Sequence, residues 1–298
     1  MKKLLAIILT ALLAISFVAC GEEEGTNNDD LENAVQEQLT LVANKKDTAA
    51  CSVIYDVNEE GTYEITGLIH DGVSDLHIEI SAETLATLDR DITGIADEAF
   101  KSCKNLVSIS IPETVTYIGK AAFYDCDALK SIALPKSVSI VKTMAFQGCD
   151  ALTIVSAKEG EITVNDDKVM SGLVTIEKYA FKDCTKLANV ILPKTTLKTI
   201  DEGAFMNCKA LPKVTIPTSV ATIGSGAFGN CEKLTSLVAL GNPKNIADPE
   251  NADRDYLFSS NMNVTVTVTS NSTMEKYAKA NGISYKVHNA NDPYVEDF

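Results

Sequence analysis

Between Ile95 and Leu240 the apolar residues of this chain fall into one phrase that is used six times. It reads Ile or Val, three variable residues, Ala-Phe, two residues, Cys, two residues and Leu. The first copy has Ile95, Ala99, Phe100, Cys103 and Leu106, and the second has Ile118, Ala122, Phe123, Cys126 and Leu129. The others centre on Phe146 with Cys149, Phe181 with Cys184, Phe205 with Cys208 and Phe228 with Cys231. Offsets of 0, 4, 5, 8 and 11 within a copy follow the helical period, which predicts a short helix or tight helical turn with one buried face. After the Leu, Ile109 and Ile111 alternate with Ser108 and Ser110, and Ile132 and Leu134 with Ser131 and Ala133. That is the period of a strand buried on one side. Pro112, Pro135, Pro193 and Pro217 then end these strands, because proline has no N–H to continue a ladder.

Successive repeat phenylalanines lie 23, 23, 35, 24 and 23 residues apart. A unit of that size cannot bury a core alone, but stacked units share one, with strands side by side at about 4.8 Å in a parallel sheet. The phrase resembles the BspA-like leucine-rich-repeat surface proteins of bacteria, whose Ile-Gly-x-x-Ala-Phe-x-x-Cys-x-x-Leu-x-x-Ile-x-Ile-Pro is matched almost letter for letter by Ile118 to Pro135. The resemblance implies an α/β fold: a right-handed leucine-rich-repeat solenoid over residues 95–242, with a parallel sheet and short helices or helical turns. It also implies a surface binding module, since some members are adhesins for host matrix proteins or partner bacteria.

The interval of 35 residues predicts an insertion at about 157–175, where Glu161 to Val164 and Ser171-Gly172 flank the polar Asn165-Asp166-Asp167-Lys168 and read as a protruding hairpin or loop. A solenoid must also close its ends with polar faces. Residues 46–94, with strand-like Tyr63 to Ile69 and Leu76 to Ile80, read as an N-terminal cap. Residues 243–298 read as a C-terminal cap: a strand from Val264 to Thr269, a helix from Asn271 to Ala280 stopped by Asn281-Gly282, and a strand from Ile283 to Val287. Asp30 to Lys46 reads as a separate amphipathic helix.

Met1-Lys2-Lys3 followed by an apolar run from Leu4 to Ala19 has the form of an export signal over residues 1–19, too short for a membrane span. Phe17-Val18-Ala19-Cys20 resembles the lipobox of bacterial lipoproteins, which implies that Cys20 is lipidated; the alternative is an ordinary signal cut after a small residue. The acidic stretch after Cys20 reads as a solvated tether, 20–45, and resembles the surface-export signal of some lipoproteins. The expected location is outside the cytoplasm, anchored by lipid alone, at the cell surface. Loss of Lys2 and Lys3 with the signal takes the formal charge from -15 to -17, which argues against nucleic acid as a partner, because that affinity comes from basic groups neutralising phosphates.

Six of the eight cysteines occupy one repeat position, with no CxxC pair or Cys/His cluster, so zinc spacing is missing. They read as a buried column of free thiols, with disulfides between coils as the alternative. Cys51 is either a core residue or a reactive thiol. His70, His77 and His288 form no nucleophile-base or metalloprotease pattern, and neither a Gly-x-Ser-x-Gly elbow nor a phosphate loop nor a dinucleotide fingerprint occurs. Asp166 and Asp167 lack the spaced oxygens that calcium needs. The expectation is a chain without catalysis, metal or cofactor.

What remains is surface. The outward strand positions, two and four residues past each repeat Leu, include Ser108, Ser110, Ser131, Asn189, Lys213, Thr215 and Ser236. This face, with Asn165, Asp166 and Asp167 on the insertion, is the expected binding site for a protein, either host extracellular matrix or another bacterial surface. The alternative is a carbohydrate- or nutrient-capture lipoprotein, which usually needs aromatic platforms; the chain has no Trp, and its repeat phenylalanines are predicted core.

Overall fold

Each copy of the phrase makes one coil of a solenoid, built from a tight turn, a long strand and a short strand. The computed structural model describes residues 18–19, 37–42, 50–70, 75–80, 91–164, 167–246, 257–258 and 263–288. The N-terminal strands are β1 (Val18–Ala19), β2 (Glu37–Val42), β3 (Ala50–Val57) and β4 (Tyr63–His70). Long and short strands then alternate as β5 (Leu76–Ile78), β6 (Ile92–Ile95), β7 (Leu106–Ile109), β8 (Tyr117–Ile118), β9 (Ser131–Leu134), β10 (Ile140–Val141) and β11 (Ile154–Ala157). A hairpin, β12 (Glu159–Val164) and β13 (Asp167–Gly172), comes before β14 (Thr175–Ile176), β15 (Asn189–Ile191), β16 (Thr199–Ile200), β17 (Lys213–Ile216), β18 (Thr222–Ile223), β19 (Ser236–Ala239) and β20 (Asn245–Ile246). The C-terminal part is β21 (Thr265–Val268), helix α1 (Thr273–Ala280) and β22 (Ser284–Val287).

The continuous sheet is the one made by the short strands, which the sequence did not reveal. From β4 through β6, β8, β10, β14, β16, β18 and β20 every pairing is parallel, and β2 and β3 extend it antiparallel beyond β4. The long strands, expected as one sheet, fall into three: β5–β7, β9–β11–β15 and β17–β19–β21–β22. One break has a local cause. Where Lys130, Thr153, Ala188 and Thr235 each donate a backbone N–H to the preceding coil, at 2.9 to 3.1 Å, the fifth coil has Pro212, which has none to donate.

Of the short helix or tight helical turn expected in each copy, the structure has the turn. Each coil holds two residues in the left-handed region, the first at Glu98, Ala121, Met144, Tyr179, Gly203 or Gly226 and the second at Ser102, Asp125, Gly148, Asp183, Asn207 or Asn230. The second set, Ser102 apart, consists of residue types that tolerate positive φ, a signal the sequence carried. A helix cannot survive two such residues in five. The turn instead alternates its donors: Ala99, Lys101 and Cys103 bond three residues back, whereas Glu98, Phe100 and Ser102 bond to Lys120, Ala122 and Tyr124 of the next coil. Bonds three residues back still bring Ala, Phe, Cys and Leu to the same inner side, which is why the spacing imitates a helix.

Inside, the six repeat phenylalanines stack ring on ring at centroid distances of 4.9 to 5.5 Å and within 5° of parallel. The cysteine column lies beside them. Cys126, Cys149, Cys184, Cys208 and Cys231 are free, and each thiol donates to the carbonyl of the phenylalanine one coil earlier, from Cys126 to Phe100 at 3.0 Å through Cys231 to Phe205 at 3.2 Å. Burial raises all five thiol pKa values, that of Cys231 to about 12. Cys103, expected to be free with the others, is disulfide-bonded. It sits in the first coil, where no repeat turn precedes it among the described residues to supply the phenylalanine carbonyl.

At the ends, the C-terminal strand, helix and strand form where the sequence places them. Ser272 caps α1 by accepting from the Glu275 N–H, Glu275 accepts in return from the Asn271 N–H, and Gly282 follows the helix at a positive φ. Within the expected helix over 30–46, however, Glu37–Val42 is a strand paired with β3. There Leu39, Leu41 and the β-branched Thr40 alternate with period two. Residues 20–36 and 43–45 of the expected tether, Cys20 among them, lie outside the described residues, and β1, within the expected signal, pairs with the end of β4.

Phe146→Ala should destabilise the chain by about 3–5 kcal/mol in urea unfolding, because it empties the middle of the ring column. Glu98→Gly should act the other way, adding about 1 kcal/mol, since it relieves a left-handed residue at a position where Gly203 and Gly226 occur naturally.

Candidate functional site

The long strands put two rows of side chains on their outer face. In the middle sheet Ser131, Ile154 and Asn189 stand opposite one another, as do Ala133, Ser156 and Ile191. In the C-terminal sheet Lys213 pairs with Ser236 and Thr215 with Val238, and Thr265 and Thr267 of the cap continue both rows. The structure thus brings Ser131 and Asn189 together around Ile154, and Lys213, Thr215 and Ser236 into a separate sheet. Ser108 and Ser110 are engaged internally. The Ser108 hydroxyl lies 2.6 Å from Nδ1 of His77, and the Ser110 hydroxyl accepts from the Ile80 N–H at 3.0 Å, so both fasten the N-terminal cap to the first coil.

Two features of this face were not among the expected site residues. Ile154 and Ile191 are 41% and 50% exposed, and their register makes them diagonal neighbours on adjacent strands, about 8 Å apart. Their sequence signal was visible, since both occupy outward positions where the other coils, Val238 apart, carry Ser, Ala, Asn, Lys or Thr. Only the register showed that they meet. All six repeat phenylalanines, by contrast, are fully buried, as predicted, and offer no ring to a ligand.

The insertion is an antiparallel hairpin, Glu159 facing Gly172 through to Val164 facing Asp167. Asn165 and Asp166 lie outside the described residues, and Asp167 opens β13. The base of the hairpin is clamped from both sides. From the preceding coil, Lys136 donates through Nζ to the Glu161 carbonyl at 2.9 Å and accepts from the Ser171 hydroxyl at 2.8 Å. From the following coil, Thr195 donates its N–H and hydroxyl to Glu159 at 2.8 and 2.9 Å. Thr195 belongs to the one-residue surplus that makes the next phenylalanine interval 24 rather than 23. Burial pushes the Glu159 pKa up, but the bonds from Thr195 and the backbone N–H groups of Lys194 and Thr196 outweigh it and hold the carboxyl below its ordinary value.

Among the described residues no three His, Cys, Asp or Glu side chains converge as metal ligands would, and no helix is long and apolar enough to cross a membrane. The architecture is that of a leucine-rich-repeat solenoid with an extended polar face and one fixed projection. The chain belongs to the BspA type leucine rich repeat family, whose six-copy repeat region matches residues 84–169 and 167–281. Among solved structures it is similar to a leucine rich repeat protein of T. pallidum, at 25% identity and a TM-score of 0.53, over 65% of this chain and 83% of that one. It also matches a leucine-rich repeat protein from Bacteroides ovatus at 21% identity and a TM-score of 0.38, over 79% and 71% of the two chains. A leucine rich cell surface protein from Faecalibacterium prausnitzii matches at 17% identity and a TM-score of 0.34, over 84% and 96%. No curated protein matches the chain.

The Glu159 anchor gives a pH dependence of definite sign. Its folded pKa lies below the ordinary 4.5, so the anchoring is fully present above that value and is lost as pH falls through the folded pKa. The Thr195 amide resonance should titrate with that pKa in the native chain, and the titration should vanish in Glu159→Gln.

Proposed function

We propose that this protein is a non-catalytic interaction module on the cell surface, held to a membrane by lipid on Cys20, which binds a protein partner through its long-strand face. The observation that carries the reading is the exposed pair Ile154 and Ile191, set in a rigid sheet beside a hairpin whose base is fixed by Glu159 and Lys136. Apolar side chains amid small polar ones give a partner a surface to bury, and an ordered scaffold loses little entropy on binding. Family membership supports the same role, and host matrix protein or another bacterial surface is the partner class it suggests.

The test is capture by the chain beginning at residue 20 against extracellular matrix proteins and bacterial surface extracts. A saturable partner is expected whose binding falls at least about tenfold, more than 1.4 kcal/mol, in Ile154→Asp/Ile191→Asp, with the unfolding midpoint unchanged. Capture that survives the double substitution would move the site off this face. For the anchor, palmitate labelling and membrane association should both disappear in Cys20→Ser; a soluble wild-type chain would refute it.

A further inference from the structure

The charges around Ile154 and Ile191 run against those of the whole chain. Acids outnumber Lys and Arg by 41 to 26 overall. Yet the strand segments of five successive coils, 128–136, 151–159, 186–194, 210–218 and 233–241, contain lysines and a single carboxylate, Glu159. That carboxylate is tied to Thr195. Lys130, Lys158, Lys186, Lys194, Lys213 and Lys233 are all exposed. The nearest acids at the turn end are already engaged: Asp127 with Lys104, Glu232 with Lys209, and Asp150 with the Thr185 hydroxyl. The face is therefore a basic strip with an apolar centre on an acidic protein.

From this we infer that the long-strand face receives an extended acidic segment of its protein partner, seating an apolar side chain over Ile154 and Ile191 while carboxylates meet the surrounding lysines. The inference rests on the protein-binding reading above and adds to it the chemistry of the partner. A protein of net charge -15 repels acidic partners at long range. Local complementarity must supply the attraction, and it does so only where the lysines are concentrated. An extended segment fits because the described residues of the face form open strands. Five coils at about 4.8 Å span roughly 20 Å, the length of about six extended residues. Salt must weaken the interaction, since exposed charges are screened over about 8 Å at physiological ionic strength.

The experiment uses the chain from residue 20 and a labelled peptide of about eight residues alternating Glu and Val. Peptides alternating Gln and Val or Lys and Val, heparin and single-stranded DNA serve as comparisons. The expected result is saturable binding of the Glu-Val peptide, at least about tenfold weaker for Gln-Val, absent for Lys-Val, and weakened about tenfold by raised salt. Lys158→Glu/Lys186→Glu should abolish it, and Ile154→Ser/Ile191→Ser should weaken it, while Lys276→Glu on α1 leaves it unchanged. Equal binding of Gln-Val or Lys-Val, or indifference to the lysine reversals, would overturn the inference. So would heparin or DNA binding as tightly with no effect of the isoleucine changes, which would mark a plain polyanion surface. The same variants applied to the captured partner separate the two readings. Loss with the isoleucine substitutions but not with the lysine reversals or salt would leave the face as the site and refute the acidic segment. Capture unchanged by both sets would refute both.

Discussion

The stacking of one coil on the next carries this structure, and its tightest expression is the pair formed by the phenylalanine ring and the cysteine thiol. Six rings lie face to face at 4.9 to 5.5 Å, a spacing set by the distance between neighbouring strands. A ring fills that layer completely. The cysteine beside it is small enough for the crowded corner and still supplies a donor for the phenylalanine carbonyl of the coil before. Alanine would leave that carbonyl without the thiol, and a larger residue would push the coils apart. The same geometry explains why the thiols are inert: burial disfavours the thiolate, and the proton is committed to a carbonyl.

Because the coils are held so closely, their backbone donors are shared between layers. Half of the turn N–H groups bond within the turn and the others bond to the next coil, a division possible only with two left-handed residues in each turn. Side-chain hydroxyls reinforce the layers: Thr116 and Ser139 donate to the coil before on the short-strand face, and Thr153 and Thr235 do so at the start of the long strands. A strand interrupted on one face is tolerated because the other face remains continuous. The long-strand face can therefore carry a proline, a hairpin and two exposed isoleucines.

The hairpin shows how an irregularity is absorbed. Its residues leave the solenoid after β11 and return before β14 without breaking the short-strand sheet, since β10 and β14 pair directly. The following coil is longer by one residue at its corner, and that corner is where Glu159 is held. Two departures from the regular interval, 35 and 24, are thus parts of one arrangement.

The sequence by itself determined the solenoid, the six coils, the place of the insertion and the C-terminal strand, helix and strand, because each is a matter of local period and punctuation: Phe, Cys and Leu at fixed spacing, proline after four of the six long strands, Asn281-Gly282 after the helix. It left each turn as a short helix or a tight helical turn, since bonds three residues back give nearly the same inner face as a helix. It could not reveal two-residue strands such as Tyr117–Ile118, which have no alternation to detect. Of the expected site, Ser108 and Ser110 have hydrogen-bond partners some thirty positions away, which local spacing does not show. The meeting of Ile154 with Ile191, the division of the long-strand face and the gathering of lysines on it depend on register between coils. Register is fixed by packing across the stack, and only the tertiary structure decides it.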